Sequence, residues 1–176
     1  MDKRITTGEG KIRVLFVCLG NICRSPLAEG VFRSLVHEAG MQDRFLIRSA
    51  GTGGWHVGGP ADERMRQTAR RYGVSLDEHC AAQITRKDLE TFDHVLVMDK
   101  RNLADVLALD TERHYTGKIK LFREFDPEPG DRQVPDPYYG GMEGFDAVYQ
   151  IVHRTSRALL EHLLAEHNVP ADLARN

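Results

Sequence analysis

The sequence predicts a doubly wound α/β fold, with about four parallel strands, helices on both faces and a loop after the first strand as the first place to look for chemistry. Three observations carry this expectation. Short apolar, β-branched runs recur along the chain, helical segments with one apolar stripe separate them, and Gly and Pro punctuate the junctions. In such sheets ligands bind beyond the carboxyl ends of the strands, where the strand order reverses.

The elements follow in order. Residues 1–11 read as a polar tail. Ile12 to Val17 is nearly continuous in apolar residues, which suits a strand buried on both faces. A helix follows, with Ser25 as candidate N-cap, Pro26 at the first helical position and Gly40 as the stop. Leu27, Ala28, Val31, Phe32, Leu35, Val36 and Ala39 form its apolar stripe. Phe45 to Arg48 reads as a second strand, and a Gly-rich loop leads to Pro60 and a helix ending near Tyr72, before Gly73. Thr85 and Asp88 have capping-box spacing for a short helix. His94 to Met98 is a third strand, a helix is expected near Arg101–Leu109, and Lys118 to Phe122 is a fourth strand. From Arg123 to Gly144 the chain is rich in Pro and Gly and has no period, the mark of a functional or disordered loop. Phe145, Val148, Val152, Thr155, Leu159 and Leu163 then line one face of a final helix.

With 176 residues, 41% hydrophobic and 28% charged, the chain suits one domain, placed at 12–167 between tails at 1–11 and 168–176. A formal net charge of −2 gives no support for a nucleic-acid partner. No stretch is apolar enough to insert in a membrane, and the start lacks a secretory h-region, so a cytoplasmic location with reduced thiols is expected. The odd cysteine count, three, argues against a disulfide framework.

The loop after the first strand reads Cys18-Leu19-Gly20-Asn21-Ile22-Cys23-Arg24-Ser25-Pro26. A helix N-terminus presents free N–H groups and a dipole that favours anions. Gly20 and Asn21 tolerate left-handed backbone angles, which lets successive amides converge into a nest. A thiol at Cys18 in that field should ionise readily and act as a nucleophile. Arg24 offers a planar fork for two phosphate oxygens. The plainer alternative is a buried strand-end thiol and a surface arginine. Cleaving a phosphate ester of a phenol also needs a proton for the leaving oxygen. Asp136, in Val134-Pro135-Asp136-Pro137-Tyr138-Tyr139, is the candidate donor, stiffened by its prolines; the same run also reads as an ordinary turn.

With both motifs quoted, the chain resembles the low-molecular-weight protein tyrosine phosphatases. The matching segments are Val14–Phe32, Ser49–Gly58, Asp62-x-Arg64, Gln83-Ile84-Thr85, Phe92–Asp99 and Asp136–Gly141. The resemblance implies hydrolysis of phosphotyrosine through a cysteinyl-phosphate, with Cys18 as nucleophile, Arg24 as clamp and Asp136 as general acid and base, and without metal or organic cofactor. Residues 19–25 would hold the phosphate. Asn21, Ser25, Ser49 and His79 would support that loop, though each also reads as a plain cap or satisfied polar group. Leu19, Ile22, Trp55, Tyr138 and Tyr139 would wall the substrate ring, favouring a phosphotyrosine protein or peptide, with small aryl phosphates in vitro. Ile22 stands where relatives that act on phosphoarginine carry Thr. Relatives also suggest a reversible disulfide between Cys18 and Cys23, against a reading of Cys23 as a packing residue. The run His79-Cys80-Ala81-Ala82-Gln83 departs from the family, with Ala82 in place of an arginine. A monomer or weak self-association through the tyrosines is expected.

Two other activities share this scaffold. Arsenate reductases relay electrons through two further cysteines near the end of the third strand, where this chain has Val97-Met98-Asp99-Lys100. A phosphotyrosine-binding module without catalysis would lack the nucleophile or the acid, and both are present. The eight histidines are scattered without metal-ligand spacing.

Overall fold

The computed structural model describes residues 10–170; the outer parts of both expected tails lie outside them. Strands β1 (Ile12–Cys18), β2 (Phe45–Gly51), β3 (His94–Val97) and β4 (Ile119–Leu121) form one sheet in the order β2-β1-β3-β4. Every pairing is parallel. Because β1 lies between β2 and β3, connections leave it in opposite directions. The carboxyl end of β1, at Cys18, is therefore the switch point.

Alternation along β1 builds two cores. Val14, Phe16 and Cys18 join one apolar cluster, and Leu15 and Val17 join the other. The first lies under α1 (Arg24–Glu38), α2 (Glu63–Arg71) and α5 (Met142–Glu166), with Phe16 edge-on to Phe32 and Phe122 at centroid separations of 5.7 and 5.4 Å. The second lies under α3 (Arg86–Thr91) and α4 (Lys100–Leu107), through Leu89 and Val106. A fully buried phenylalanine such as Phe16 contributes roughly 1.5–3 kcal/mol. Both faces of the sheet are covered, which explains why β1 is apolar almost without interruption.

Local signals set most boundaries. Gly40 has φ +69°, and the N–H groups of Gly40 and Met41 donate to His37 and Val36, closing α1 in a Schellman turn. Gly73, φ +79°, ends α2 in the same left-handed region. The Thr85 N–H donates to Asp88 at 2.8 Å, forming the expected capping box of α3. The face of α5 that carries Phe145, Val148, Val152, Thr155, Leu159 and Leu163 is buried.

Three expectations need correction. Ser25 is not the N-cap of α1: Cys23 holds that position, and Ser25 lies inside the first turn with its hydroxyl committed elsewhere. The second helix begins at Glu63 rather than after Pro60, because the Asp62 carboxylate caps it by accepting from the Arg64 N–H at 2.8 Å. The fourth strand is only three residues long, because Phe122 turns into a 3-10 segment, Phe122–Phe125.

Candidate active site

The loop between β1 and α1 is held from behind. Asn21 is fully buried with φ +56°, a backbone region that Asn tolerates better than most residues. Its side-chain amide donates to Ser25 Oγ at 2.8 Å and Ser49 Oγ at 3.0 Å, and its Oδ1 accepts from the Ala82 N–H at 2.9 Å. His79 Nε2 lies 2.7 Å from the Asn21 carbonyl oxygen and donates to it. All four residues expected to support the loop therefore meet there. Ala82 takes part through its backbone, so the exchange of an arginine side chain at this position leaves the contact intact.

Gly51, at the end of β2, was not foreseen. A Cβ there would lie 2.8 Å from the Leu19 oxygen and 3.1 Å from the Asn21 nitrogen, so only glycine lets the loop seat this closely. The N–H groups of Thr52 and Gly53 donate to the carbonyls of Cys18 and Leu19 at 2.9 Å each. These bonds use the carbonyls of the loop and leave its amides for another acceptor.

At the mouth, the thiol of Cys18 lies 3.0 Å from Ser25 Oγ. The buried Arg24 guanidinium donates to Asp99 at 2.7 Å and to the Val134 carbonyl at 3.0 Å, and its other arm faces Asp136 at 3.5 Å. Burial works against the charge of Arg24, but Cys18, Asp99 and Asp136 outweigh it and hold the guanidinium more firmly protonated than usual. Asp99 is a second unforeseen member. It caps α4, with Oδ1 accepting from Asn102 N–H at 2.8 Å, and its other oxygen anchors Arg24. Burial pushes the Cys23 thiol far above its ordinary range, with Asp62, Cys18 and Asp136 adding to the effect. All three cysteines are free thiols.

Above Cys18 opens a cleft of about 320 Å³, lined by Leu19, Ile22, Trp55, His56, Asp136, Tyr138 and Tyr139, with Cys18 and Arg24 at its floor. All five expected wall residues line it. Trp55 and Tyr139 are rim residues, 73% and 94% exposed, and the rings of Tyr138 and Tyr139 meet edge to face. His56 is an addition, packed beside Gly20. The matched segment Ser49–Gly58 contained it, but nothing local marked it as a wall residue.

A thiol, a buried guanidinium and a carboxylate thus converge at the switch point of a doubly wound sheet, the arrangement of a C-x5-R α/β protein. Comparison with known proteins then defines the family. A family profile described as low molecular weight phosphotyrosine protein phosphatase matches residues 13–169. The low molecular weight phosphotyrosine protein phosphatase of Pongo abelii is 44% identical over 149 residues, 84% of this chain and 93% of that protein. A protein tyrosine phosphatase structure from Entamoeba histolytica superposes with a TM-score of 0.85 at 34% identity, covering 89% of this chain and 99% of the other. The structure of YfkJ from Bacillus subtilis gives 0.83 at 38% identity, covering 89% and 96%. The chain belongs to the low molecular weight phosphotyrosine protein phosphatase family and is a phosphoric monoester hydrolase.

Proposed function

We propose that the protein hydrolyses phosphotyrosine in proteins or peptides in two steps at Cys18. The Cys18 thiolate attacks phosphorus while the amides of residues 19–25 and the Arg24 fork hold the three non-bridging oxygens. The bond from phosphorus to the tyrosine oxygen breaks, and protonated Asp136 gives its proton to that oxygen. Asp136 then takes a proton from water as the water attacks phosphorus. The sulfur–phosphorus bond breaks, releasing inorganic phosphate, and the Ser25 hydroxyl donates to the departing thiolate. The observation that carries this reading is the meeting of Cys18, Arg24 and Asp136 at one cleft floor, with the Ser25 hydroxyl 3.0 Å from the sulfur.

The cleft favours an aromatic ester. Apolar and aromatic walls at Leu19, Ile22, Trp55, Tyr138 and Tyr139 suit a flat ring that reaches to Cys18, and a serine phosphate is too short to span them. Hydrolysis of p-nitrophenyl phosphate in EDTA is the test. The native chain turns over and Cys18→Ser does not; full activity of Cys18→Ser would refute the scheme.

The redox reading of Cys23 is part of the same proposal. Its thiol is kept neutral, so peroxide oxidises Cys18 first, to a sulfenic acid. Attack by the Cys23 sulfur then forms the Cys18–Cys23 disulfide and releases water. Activity lost to peroxide should return with dithiothreitol in the native protein and stay lost in Cys23→Ser. Equal recovery in both would remove Cys23 from the role.

A further inference from the structure

At the other end of the sheet, two histidines and a carboxylate meet. His94 opens β3 and pairs with Val14 of β1, several residues before Cys18. His167 follows the last turn of α5. They lie 73 positions apart in sequence, yet their Nε2 atoms are 2.9 Å apart. Glu166 Oε2 lies 3.9 Å from His94 Nε2, and one donor atom from each of the three residues falls within 4.8 Å of the others. His162, one turn back on α5, stands 3.5 Å from the same Glu166 oxygen.

We propose that His94, His167 and Glu166 bind a divalent late first-row transition ion, such as Ni²⁺ or Zn²⁺. The donor set is the one such ions take, two imidazole nitrogens and a carboxylate oxygen. The 2.9 Å separation of the two Nε2 atoms is that of a hydrogen bond between the imidazoles, and the ion would displace its bridging proton and draw both nitrogens onto itself. The ion would tie the start of β3 to the end of α5. It lies far from the phosphate loop, so occupancy stabilises the chain without entering the hydrolysis.

The test is calorimetric titration of the full chain with Ni²⁺ and with Zn²⁺, in a background carrying Cys18→Ser and Cys80→Ser so that thiols do not compete. One equivalent of either ion is expected to bind. His94→Ala and His167→Ala should each weaken binding by tenfold or more, and His114→Ala, which touches a different surface glutamate, should not. At a hundredfold excess over Kd the melting temperature should rise by roughly 5–10 °C. If either histidine variant proves unstable in circular dichroism, Glu166→Gln removes a ligand while keeping the side-chain volume. Equal Ni²⁺ affinity in the folded His94, His167 and Glu166 variants would overturn the site.

Discussion

Two of the loops that reach the cleft are built in opposite ways. The loop after β1 is buried and bonded from behind by Asn21, Ser25, Ser49, His79 and Gly51. The loop before α5 is buried at Asp126, Val134 and Pro137 and open at most other positions; the Val134 N–H donates to the Met98 carbonyl at 2.8 Å and its carbonyl accepts from Arg24. Beyond it, Asp136 has 39% of its side chain exposed, and its carboxylate accepts from the Tyr138 N–H at 3.1 Å. The difference fits the roles proposed for them. An oxyanion cradle lowers a barrier only if its dipoles are already aligned when charge develops. A proton donor beside a bulky leaving group must let that group in and out, so its segment needs an anchor at one end and freedom at the other.

Removing the acid tests the freer loop most sharply. Asp136→Ala should lower kcat on p-nitrophenyl phosphate by about 10²–10⁴-fold and leave the melting temperature nearly unchanged. A fall in stability comparable to the loss of activity would show that Asp136 is structural. The rigid loop should answer differently. Asn21→Ala leaves the Ala82 N–H and two hydroxyls without their partner, at about 1–3 kcal/mol. Stability and kcat should therefore drop together, with kcat falling by roughly 5–150-fold. A variant that lost neither would mean that the network behind the loop does not align it.

The root of the acid loop can be probed by pH. Asp126 accepts from Arg123 at 2.9 Å and from Arg154 at 2.8 and 3.0 Å, and Arg123 also holds the Glu128 and Gln133 carbonyls. Burial alone would raise the Asp126 carboxyl, but the bonds from Arg154, the Glu128 amide and Arg123 outweigh it and lower its pKa from 3.8 to about 2. A depressed carboxylate stabilises the fold fully above its unfolded value and loses that contribution as pH falls through the folded one. Between about pH 4 and pH 2 the native chain should lose on the order of 1–2 kcal/mol that Asp126→Asn has already lost. Parallel acid unfolding curves for the two would separate the root of the loop from Asp126. The smallest effect belongs to the rim. Tyr139→Ala should raise KM for a phosphotyrosine peptide a few-fold with kcat and stability unchanged. A large kcat loss would place the ring closer to the reacting atoms than its exposure suggests.

Much of this was legible along the chain because it is local. Cys18 to Pro26 spans one strand end, one turn and one helix start, so spacing alone put thiol, amides and guanidinium together. Asp136 could be marked by its prolines and tyrosines, and the helix stops by Gly40 and Gly73. Ser25 carried two readings: its place before a proline suggested a cap, which the fold corrects, and the family resemblance suggested a support of the loop, where its hydroxyl lies beside Cys18 and Asn21. Asp99, Gly51 and His56 carried no local mark as parts of the site. Each acts on a residue that the sheet or a loop crossing brings alongside.

The sequence by itself determined the strand–helix alternation and the loop that holds Cys18 and Arg24, because periodicity and short-range stereochemistry are written in neighbouring residues, and its matching segments carried the family resemblance. Only the tertiary structure decided that Asp99 anchors Arg24, that Gly51 lets the phosphate loop seat against β2, and that His94 meets His167. Those contacts depend on strand register and on which face a helix turns inward, and side chains far apart in the chain find one another only once the sheet has closed.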